Sequence, residues 1–446
     1  VHAVGGDGPA VSERTTRTLR PVPPPRALPG AGVIAQRVVI ALLRRWITQG
    51  VLEVRLPDGQ ELRFGGAQPG PHVRMEILRD DLFRRLARSW KMGLGEGYAA
   101  GDWRASDLAG LCELLFRNVE SARRSPGLAR WMRLQRHRPH LPLSNSVRRA
   151  RSHIRYHYDL GNDLYALFLD ESWTYSCAVW EEPGESLEEA QQNKLRRICE
   201  KLRLTPVDHV LEIGCGWGSF ALHAAGEYGC RVTGVTISEE QHALATRRVQ
   251  EVGLADRVEL LLQDYRTLEG QFTKVASIEM FEAIGQRQYE NYFAAIDRLL
   301  APGGVACIQT IAIPDHRFDR YRRAEDWIQR YIFPGSLLPS LTAITKAMTA
   351  SSELHVHDLE EIGIHYADTL QLWRERFLEN AQDVRRLGYD DAFVRVWEFY
   401  LASCEAAFRT RSLRDIQIVL TRSFNDELPR WSVPAEAAAR AARLEG

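Results

Sequence analysis

The chain has 446 residues, of which 45% are hydrophobic and 26% are charged, and its 58 basic residues balance 58 acidic ones. This composition is ordinary for a globular protein of more than one domain, and the zero net charge excludes an overall electrostatic attraction to nucleic acid or membrane. The seven cysteines are scattered without a CxxC pair, which argues against a disulfide framework or a zinc site and favours a reduced cytosol.

The N-terminal part divides into a tail and a small α+β unit. Residues 1–30 are rich in Pro, Gly and Thr without hydrophobic periodicity, which predicts a disordered tail. An amphipathic helix is predicted from Ile34 to a stop at Gly50, followed by a hairpin over 51–66 around a Pro-Asp-Gly turn. With the helical pattern that follows, residues 31–120 are expected to form a small α+β domain that associates with lipid. No run is long enough for a membrane span, so we expect a soluble or peripheral protein.

The composition changes between Ser121 and Tyr158, where ten arginines occur without any acidic residue and with apolar side chains interleaved. Arginines among apolar residues suit an anionic lipid surface, but a solvated linker explains the segment equally well. RNA is a weaker alternative because no base-stacking module accompanies the arginines. We therefore assign residues 121–155 as an arginine-rich linker.

From about residue 185 the pattern alternates between strand and helix. The predicted strands are 209–214, 231–237, 258–265, 274–281 and 304–313. A helix capped by Ser238 and another over 288–300 lie between them. Strands separated by crossover helices imply a parallel sheet that binds ligands at the carboxyl ends of its strands.

A glycine loop follows the first of these strands in VLEIGCGWGSF. Gly214, Gly216 and Gly218 allow a tight turn and a close approach of a ligand to the backbone. A dinucleotide fingerprint would have glycine at position 219 and an acidic residue about 20 residues further on, but the chain has Ser219 and, after the second strand, no carboxylate before Glu239. The loop pattern, with QDY closing the third strand, resembles class I methyltransferases. In those enzymes an acidic residue such as Asp264 meets the adenine of S-adenosylmethionine.

Several stretches support a closer resemblance when they are taken in order. They are HYDLGNDLYALFLDESWTYSCAVW, VLEIGCGWG, LLQDYR, EMFEAIG, HYADTLQLWRERF and CEAAFRTRSLRDIQIVLTR. This series resembles the cyclopropane-fatty-acid synthase family over roughly residues 80–425. The resemblance implies an α/β fold, with a class I methyltransferase (Rossmann-like) sheet and flanking helices over 156–430 and an acyl-binding lid at about 312–385. It also implies an enzyme that transfers the methyl group of S-adenosylmethionine to a cis double bond of a phospholipid acyl chain, giving a cyclopropane.

The resemblance assigns two groups of site residues. The cofactor-binding group is Tyr175, Ser176, Glu212, Gly214, Gly216, Gly218, Thr236, Gln241, Asp264 and Tyr265. The second group would hold a bicarbonate ion that deprotonates the carbocation: Cys177, Glu282, Ile311 and Tyr366, with Glu282 orienting the anion through a shared proton. Gln309 stands beside this site where many family members carry histidine, and glutamine donates a hydrogen bond but carries no charge.

Cys177 is not expected to be a nucleophile, because YSCAVW offers neither an activating base nor a cation. The resemblance implies that its backbone lines the anion pocket, and a small buried hydrophobic residue is the alternative. The stretch HVHDLEEIGIH (355–365) has three histidines at no known zinc spacing and is interpreted as a surface helix entry rather than a metal site. The helix over 186–202 is interpreted as a solvated or packing helix.

The product and the substrate class stay open at this stage. Gln309 together with EMFEAIG and YIFPGSLLPS looks more like relatives that act on oleoyl chains, some of which make 10-methylene or 10-methyl products. A methyltransferase for a soluble metabolite is disfavoured by the N-terminal unit and the arginines, and a non-catalytic lipid-binding protein by the intact glycine loop. The expected partners are an unsaturated membrane phospholipid and an anionic membrane surface at the cytoplasmic face, with a homodimer as a possible assembly and without nucleic acid or metal.

Overall fold

The computed structural model describes residues 31–66, 68–124, 160–426 and 428. The predicted tail over 1–30 and the part of the arginine-rich segment from residue 125 to its end lie outside these ranges. None of the helices in the described ranges is long and apolar enough to cross a bilayer.

The N-terminal unit contains one small sheet covered by helices. Its strands are β1 (Gln49–Arg55), β2 (Glu61–Gly65), β3 (Gln68–Ile77) and β4 (Trp103–Ala105), and its helices are α1 (Ala31–Trp46), α2 (Asp81–Arg88), α3 (Trp90–Ala100) and α4 (Leu108–Arg124). The strand order is β2-β1-β3-β4, and β1 pairs antiparallel with β2 in the predicted hairpin. Alternate side chains of β1, Leu52 and Val54, are buried under the helices, as the period of two along a strand requires. Helix α4 continues to Arg124, past the predicted boundary at residue 120.

The second sheet has seven strands. They are β5 (His209–Ile213), β6 (Arg231–Thr236), β7 (Val258–Leu262), β8 (Phe272–Ile278), β9 (Leu300–Ala312), β10 (His355–Glu361) and β11 (Arg414–Thr421), in the order β10-β11-β9-β8-β5-β6-β7. Strands β5 to β9 are parallel, whereas β11 runs antiparallel to both of its neighbours. The parallel part confirms the predicted α/β fold, and it gathers the carboxyl ends of five strands at one edge.

Helices flank this sheet and extend from it. They are α5 (Asn162–Tyr165), α6 (Leu187–Leu202), α7 (Ser219–Tyr228), α8 (Glu239–Glu251), α9 (Tyr289–Leu299), α10 (Asp315–Tyr321), α11 (Trp327–Tyr331), α12 (Leu341–Ser351), α13 (Gly363–Glu379), α14 (Ala381–Arg386) and α15 (Asp391–Arg409). The predicted cap of α8 forms, because Ser238 Oγ accepts a hydrogen bond of 3.3 Å from the backbone N–H of Gln241.

The interpretation of residues 355–365 as a helix entry was wrong for most of the stretch. Residues 355–361 form the edge strand β10, which pairs with β11, and the helix begins only at Gly363. The exposed His355 and His357 lie on this edge strand. The described residues contain no group of three or more His, Cys, Asp or Glu side chains placed to hold a metal ion.

The N-terminal unit packs against the helices that follow the sheet. Tyr98 on α3 donates a hydrogen bond of 2.7 Å to Glu398 on α15, and Tyr331 on α11 donates one of 2.9 Å to Glu96 on α3. Gly95 allows the close approach of Trp327, since a Cβ atom there would lie 2.5 Å from its indole nitrogen. The two parts of the chain therefore share a packed interface, and a large cavity lies beside it.

Candidate active site

The turn between β5 and α7 shapes the first cavity. Gly214 has φ +83°, and a Cβ atom on it would lie 2.7 Å from Cγ of Met280, so only glycine fits without displacing that side chain. The backbone N–H groups of Gly214 and Cys215 both donate to the carbonyl of Val235, which ties the loop to β6. The loop borders a cavity of about 170 Å³ at the carboxyl ends of the strands.

Nine of the ten predicted cofactor-binding residues line this cavity. They are Tyr175, Ser176, Glu212, Gly214, Gly216, Thr236, Gln241, Asp264 and Tyr265. Gly218 is the exception, because it precedes the first turn of α7, and a Cβ atom there would lie 3.3 Å from Cβ of Ala245 on α8. Its glycine serves the approach of two helices rather than the cavity wall.

Polar side chains of the cavity are held in place by their neighbours. Asp264 forms an ion pair of 2.6 Å with Arg266, and Thr236 Oγ1 donates a hydrogen bond of 3.0 Å to Oε1 of Gln241. Glu212 is buried, and its Oε2 atom accepts no hydrogen bond from the described residues. Burial raises the pKa of Glu212 well above its ordinary value. A buried acceptor without a partner is costly, so Glu212 is suited to receive a donor from a ligand.

Lys194 also lines the cavity, and the sequence reasoning missed it. It is fully buried on α6 and donates a hydrogen bond of 2.8 Å from Nζ to Ser176 Oγ. Burial lowers the pKa of Lys194, against the pull of nearby carboxylates. A signal existed, because Lys194 falls at the helical spacing of Leu187, Ala190 and Ile198, on the face that packs inward. The interpretation of α6 as a solvated or packing helix therefore overlooked a functional face.

A second cavity of about 390 Å³ lies between the sheet and the N-terminal unit. Its wall is mainly apolar, and residues of α4, α11 and α15 contribute to it: Cys112, Leu115, Phe116, Val119, Trp327, Ile328, Phe399, Tyr400, Ser403, Cys404 and Ala407. Tyr175, Glu279 and Ala283 line both this cavity and the first one. The two cavities thus meet at a junction that carries one carboxylate, that of Glu279.

Glu279 is the centre of the polar network at this junction. Its Oε1 accepts hydrogen bonds of 2.8 Å from the backbone N–H of Cys177 and of 2.8 Å from Nε2 of Gln309, and its Oε2 accepts one of 2.6 Å from the hydroxyl of Tyr366. The residue directly follows β8 and has φ +49°, in the left-handed region. Desolvation raises its pKa, and the three donors oppose that shift. The sequence reasoning missed Glu279.

Glu282 lies next to it and is held differently. Its Oε1 accepts hydrogen bonds from Thr310 Oγ1 at 2.9 Å and from the backbone N–H of Ile311. Its buried Oε2 accepts none from the described residues. Burial, and then the charge of Glu279, raise the pKa of Glu282 to about 8. Glu282 therefore carries a proton near neutral pH.

Of the predicted anion-site residues, Glu282, Ile311 and Tyr366 line the apolar cavity. Cys177 and Gln309 are fully buried behind Glu279 and line neither cavity, and Tyr366 points its hydroxyl at the Glu279 carboxylate. The backbone of Cys177 makes the polar contact, as expected, while burial raises the pKa of its thiol well above the ordinary value. A thiol that holds its proton so firmly is a poor nucleophile.

Asp415 on β11 extends the network behind Glu279. It is fully buried and accepts a hydrogen bond of 3.1 Å from Nε2 of Gln309, and burial together with the charge of Glu279 raises its pKa well above the ordinary value. Gln309 in turn accepts one of 3.0 Å from Gln417. The amide of Gln309 is thus fixed between two acids by partners on both sides.

Comparison with known proteins indicates the family of the chain. A family model described as mycolic acid cyclopropane synthetase matches residues 145–418. The chain is 40% identical to tuberculostearic acid methyltransferase UfaA1 of Mycobacterium tuberculosis, over 85% of this chain and 90% of the relative. It is 38% identical to the cyclopropane-fatty-acyl-phospholipid synthase of Escherichia coli K12, over 79% of this chain and 89% of the relative. The chain belongs to the cyclopropane-fatty-acid synthase family.

A solved family structure agrees with the fold. The mycolic acid cyclopropane synthase CmaA1 in complex with SAH and CTAB superposes with a TM-score of 0.56 at 28% identity, covering 60% of this chain and 97% of that one. As a member of the family, the chain is an S-adenosylmethionine-dependent methyltransferase that acts on acyl chains of lipids. Its residues fit that cofactor, because the glycine loop, Asp264 and Glu212, whose Oε2 has no partner among the described residues, all border one cavity.

Bicarbonate, which the family resemblance implied, fits the site poorly. The Cys177 N–H and the Tyr366 hydroxyl, which were expected to bind it, and Gln309 beside them already bind the Glu279 carboxylate. The Ile311 N–H binds Glu282. A second anion in this place would have to displace a side chain that three donors hold. We derive no step of the reaction through bicarbonate.

Proposed function

We propose that the chain transfers the methyl group of S-adenosylmethionine to a cis double bond in an unsaturated acyl chain of a membrane phospholipid and forms a cyclopropane. The observation that carries this proposal is the junction of the cofactor cavity with a larger and more apolar cavity at Tyr175, Glu279 and Ala283. An apolar cavity of this size suits a hydrocarbon chain, which gains free energy from leaving water.

Bound S-adenosylmethionine supplies an electrophilic methyl group, and the alkene that accepts it becomes a carbocation. Two tyrosine rings at the apolar cavity suit such a cation. Tyr175 stacks on Trp373 at a centroid distance of 5.1 Å, and Tyr366 stacks on Phe408 at 4.5 Å. The π faces of fixed aromatic rings attract a positive charge.

A methyl-branched or methylene product is the second candidate. It is favoured by the identity of 40% to tuberculostearic acid methyltransferase UfaA1 and by Gln309, which takes the place of a histidine found in many relatives. In that case a hydride shifts from the methylated carbon to the neighbouring cationic carbon, and the added methyl group then loses a proton to form the methylene group. A methyltransferase for a soluble metabolite is disfavoured, because such a substrate would not need a mainly apolar cavity of about 390 Å³.

The direct test is incubation of the purified chain with S-adenosylmethionine and vesicles of an oleoyl phospholipid, followed by mass spectrometry and NMR of the fatty esters. We expect a mass gain of one methylene group, without vinyl protons for a cyclopropane and with them for a methylene product. Absence of any mass gain, with a soluble metabolite methylated instead, would overturn the proposal.

We further propose that the protein works as a peripheral protein on an anionic, cytoplasmic membrane face. Helix α1 supports this, because its described side chains include exposed Val33, Ile34 and Val38, and the helix contains three arginines and no acidic residue. Charge reversal at Arg148, Arg149 and Arg151 should weaken sedimentation with anionic vesicles, and added salt should weaken it in the wild type. Salt-independent binding would contradict a charged contact.

We also propose a homodimer and a division into an N-terminal unit, an arginine-rich linker and a catalytic domain over 156–430, with the first boundary moved from residue 120 to Arg124, where α4 ends. The division into domains is supported by the two separate sheets. Limited proteolysis that cuts first within 125–159 would support the linker, and sedimentation velocity would give the oligomeric state.

A further inference from the structure

Three separate parts of the chain supply the donors that hold Glu279. The Cys177 N–H comes from the loop before α6, Gln309 from β9, and the Tyr366 hydroxyl from α13. The family resemblance assigned two of these groups, those of Cys177 and Tyr366, to a bicarbonate ion and placed Gln309 beside that ion. A side-chain carboxylate and bicarbonate present the same planar pair of oxygens, so one donor set can serve either. In this chain the protein's own carboxylate occupies the set.

The position of Glu279 adds a second observation. It lines both cavities, so its carboxylate faces the place where an acyl chain in one cavity meets a methyl donor in the other. Glu282 lines only the apolar cavity. A base must be within hydrogen-bond reach of the proton that it removes, and Glu279 is the carboxylate that lines both cavities.

The charges around the junction also favour a built-in base. Glu279, Glu282 and Asp415 already lie close enough for their charges to act on one another, and the buried cation that acts on Glu279 and Asp415 is Lys194. A bicarbonate ion would add another negative charge to this group in a region of low dielectric. Such a charge is strongly disfavoured without a further cation.

The backbone of Glu279 supports a functional interpretation over a purely structural one. Its φ of +49° lies in the left-handed region, which costs a residue with a Cβ atom about 1 kcal/mol or more. Residues held in such conformations cluster at active sites, where the surrounding structure maintains them. The turn after β8 places the side chain of Glu279 at the junction of the two cavities.

We propose that the Glu279 carboxylate is the catalytic base of this chain and takes the place of bicarbonate. The inference rests on the proposed function. Methyl transfer breaks the bond between sulfur and the methyl carbon, and the electron pair of that bond stays on sulfur. The π electrons of the alkene form the new carbon-carbon bond. The positive charge then lies on the neighbouring acyl carbon.

A proton of the added methyl group passes to a carboxylate oxygen of Glu279, and the electron pair of that C–H bond closes the three-membered ring. If a hydride shifts first, the same oxygen accepts the proton whose loss forms the methylene group. Glu279 returns its proton to water after the product leaves the cavity. Tyr366 and Gln309 act as positioning residues, because they hold the carboxylate in place.

The test uses the full chain with Glu279→Gln, Glu279→Gly and a control, Glu251→Gln, at an exposed residue on α8. Turnover on oleoyl phospholipid vesicles is measured in bicarbonate-depleted buffer and with added bicarbonate. Affinity for S-adenosylmethionine is measured by calorimetry, and binding of ¹³C-bicarbonate by NMR. The glycine variant leaves the three donors without their carboxylate and also relieves the positive φ, so it remains informative if the glutamine variant folds poorly.

We expect wild-type turnover to be independent of bicarbonate and Glu279→Gln to lose at least about 100-fold, the usual contribution of a general base. Because Glu279 also lines the cofactor cavity, turnover is compared at saturating cofactor, and calorimetry separates a change in cofactor affinity from the loss of turnover. Glu279→Gly should bind ¹³C-bicarbonate, which the wild type should not, and should regain turnover when it is added. Wild-type turnover that requires bicarbonate, full activity of Glu279→Gln, or bicarbonate bound by the wild type would each overturn the inference.

The proposed function can fail separately. If the wild type transfers no methyl group to the vesicles in either buffer, the substrate assignment is wrong. The NMR measurement still decides the occupancy of the anion position, because binding by Glu279→Gly alone supports the inference and binding by the wild type overturns it.

Discussion

Tyr366 donates its hydroxyl hydrogen to Oε2 of Glu279 over 2.6 Å, while its ring lies stacked on Phe408. The stack fixes the ring on α13, and the hydrogen bond fixes the carboxylate, so one side chain joins α13 to the residue that follows β8. The strong donor also stabilises the charged form of Glu279 against the desolvation that raises its pKa.

Tyr366→Phe should keep the ring stack and lose only the hydroxyl. A hydrogen bond to a charged group contributes about 1.5–3 kcal/mol, so we expect turnover on oleoyl vesicles to fall roughly tenfold to hundredfold. The affinity for S-adenosylmethionine should change little, because Tyr366 lines the apolar cavity and not the cofactor cavity. Steady-state kinetics and calorimetry check both. Unchanged turnover would show that the hydroxyl does not position the acid.

Glu282→Gln should alter the pH dependence of stability. The folded protein binds the Glu282 proton up to a pKa of about 8, whereas a carboxyl in the unfolded chain loses it near 4.5. Wild-type stability therefore falls as pH rises through this window, by at most about 1.4 kcal/mol per pH unit for this group. The free energy of unfolding of the variant relative to wild type should rise from about pH 5 to 8 and level off above. Urea unfolding across this range measures it, and a constant difference would contradict the raised pKa.

Gly214→Ala should damage the cofactor site more than its backbone strain explains. The left-handed conformation costs alanine roughly 1–2 kcal/mol, and the added Cβ also meets Met280. Gly253→Ala is the matched control, since Gly253 has φ +71° but a methyl group on it would meet no atom within 4 Å. We expect both variants to lose stability and only Gly214→Ala to lose about tenfold or more in affinity for S-adenosylmethionine. Equal affinities in calorimetry would remove the loop from the cofactor site.

Ser403→Phe should obstruct the apolar cavity without touching the cofactor cavity. Ser403 is half-buried on α15 and lines the larger cavity, where a phenyl ring would occupy space meant for hydrocarbon. We expect turnover on oleoyl vesicles to fall by about tenfold or more at unchanged cofactor affinity. Val252→Phe, at an exposed valine, adds the same kind of ring on the surface and should leave both unaffected. Equal turnover of the two variants would place the acyl chain elsewhere.

Local sequence patterns predicted much of the fold, whereas features that depend on distant residues were missed. The alternation of strands and helices predicted the parallel sheet, and Ser238 was recognised as a cap because capping depends on neighbours in sequence. The edge strand β10 was missed, because HVHDLEE becomes a strand only through pairing with β11, about 60 residues later. Pairing across such a distance leaves little trace in a short window of sequence.

The site shows the same limit. Residues of the glycine loop were found because their spacing expresses a backbone requirement. EMFEAIG contains two acids, and the resemblance selected Glu282, whereas the structure places Glu279 at the junction. The choice depends on a positive φ at residue 279 and on donors that come from Cys177 and Tyr366, far away in the chain. No local pattern reports such partners.

If the acyl chain occupies the apolar cavity as proposed, the junction between the two cavities of the described residues also determines regiochemistry. Only the acyl carbons that lie against Tyr175, Glu279 and Ala283 can meet a methyl donor, whatever other double bonds the lipid contains. The stretch of cavity beyond the junction, walled by Cys112, Phe116 and their neighbours, accommodates a limited number of methylene groups. In the proposed reaction the cavity therefore limits how many carbons of the acyl chain lie beyond the reacting double bond. Residues on the N-terminal unit, remote from the chemistry, determine which double bond is methylated.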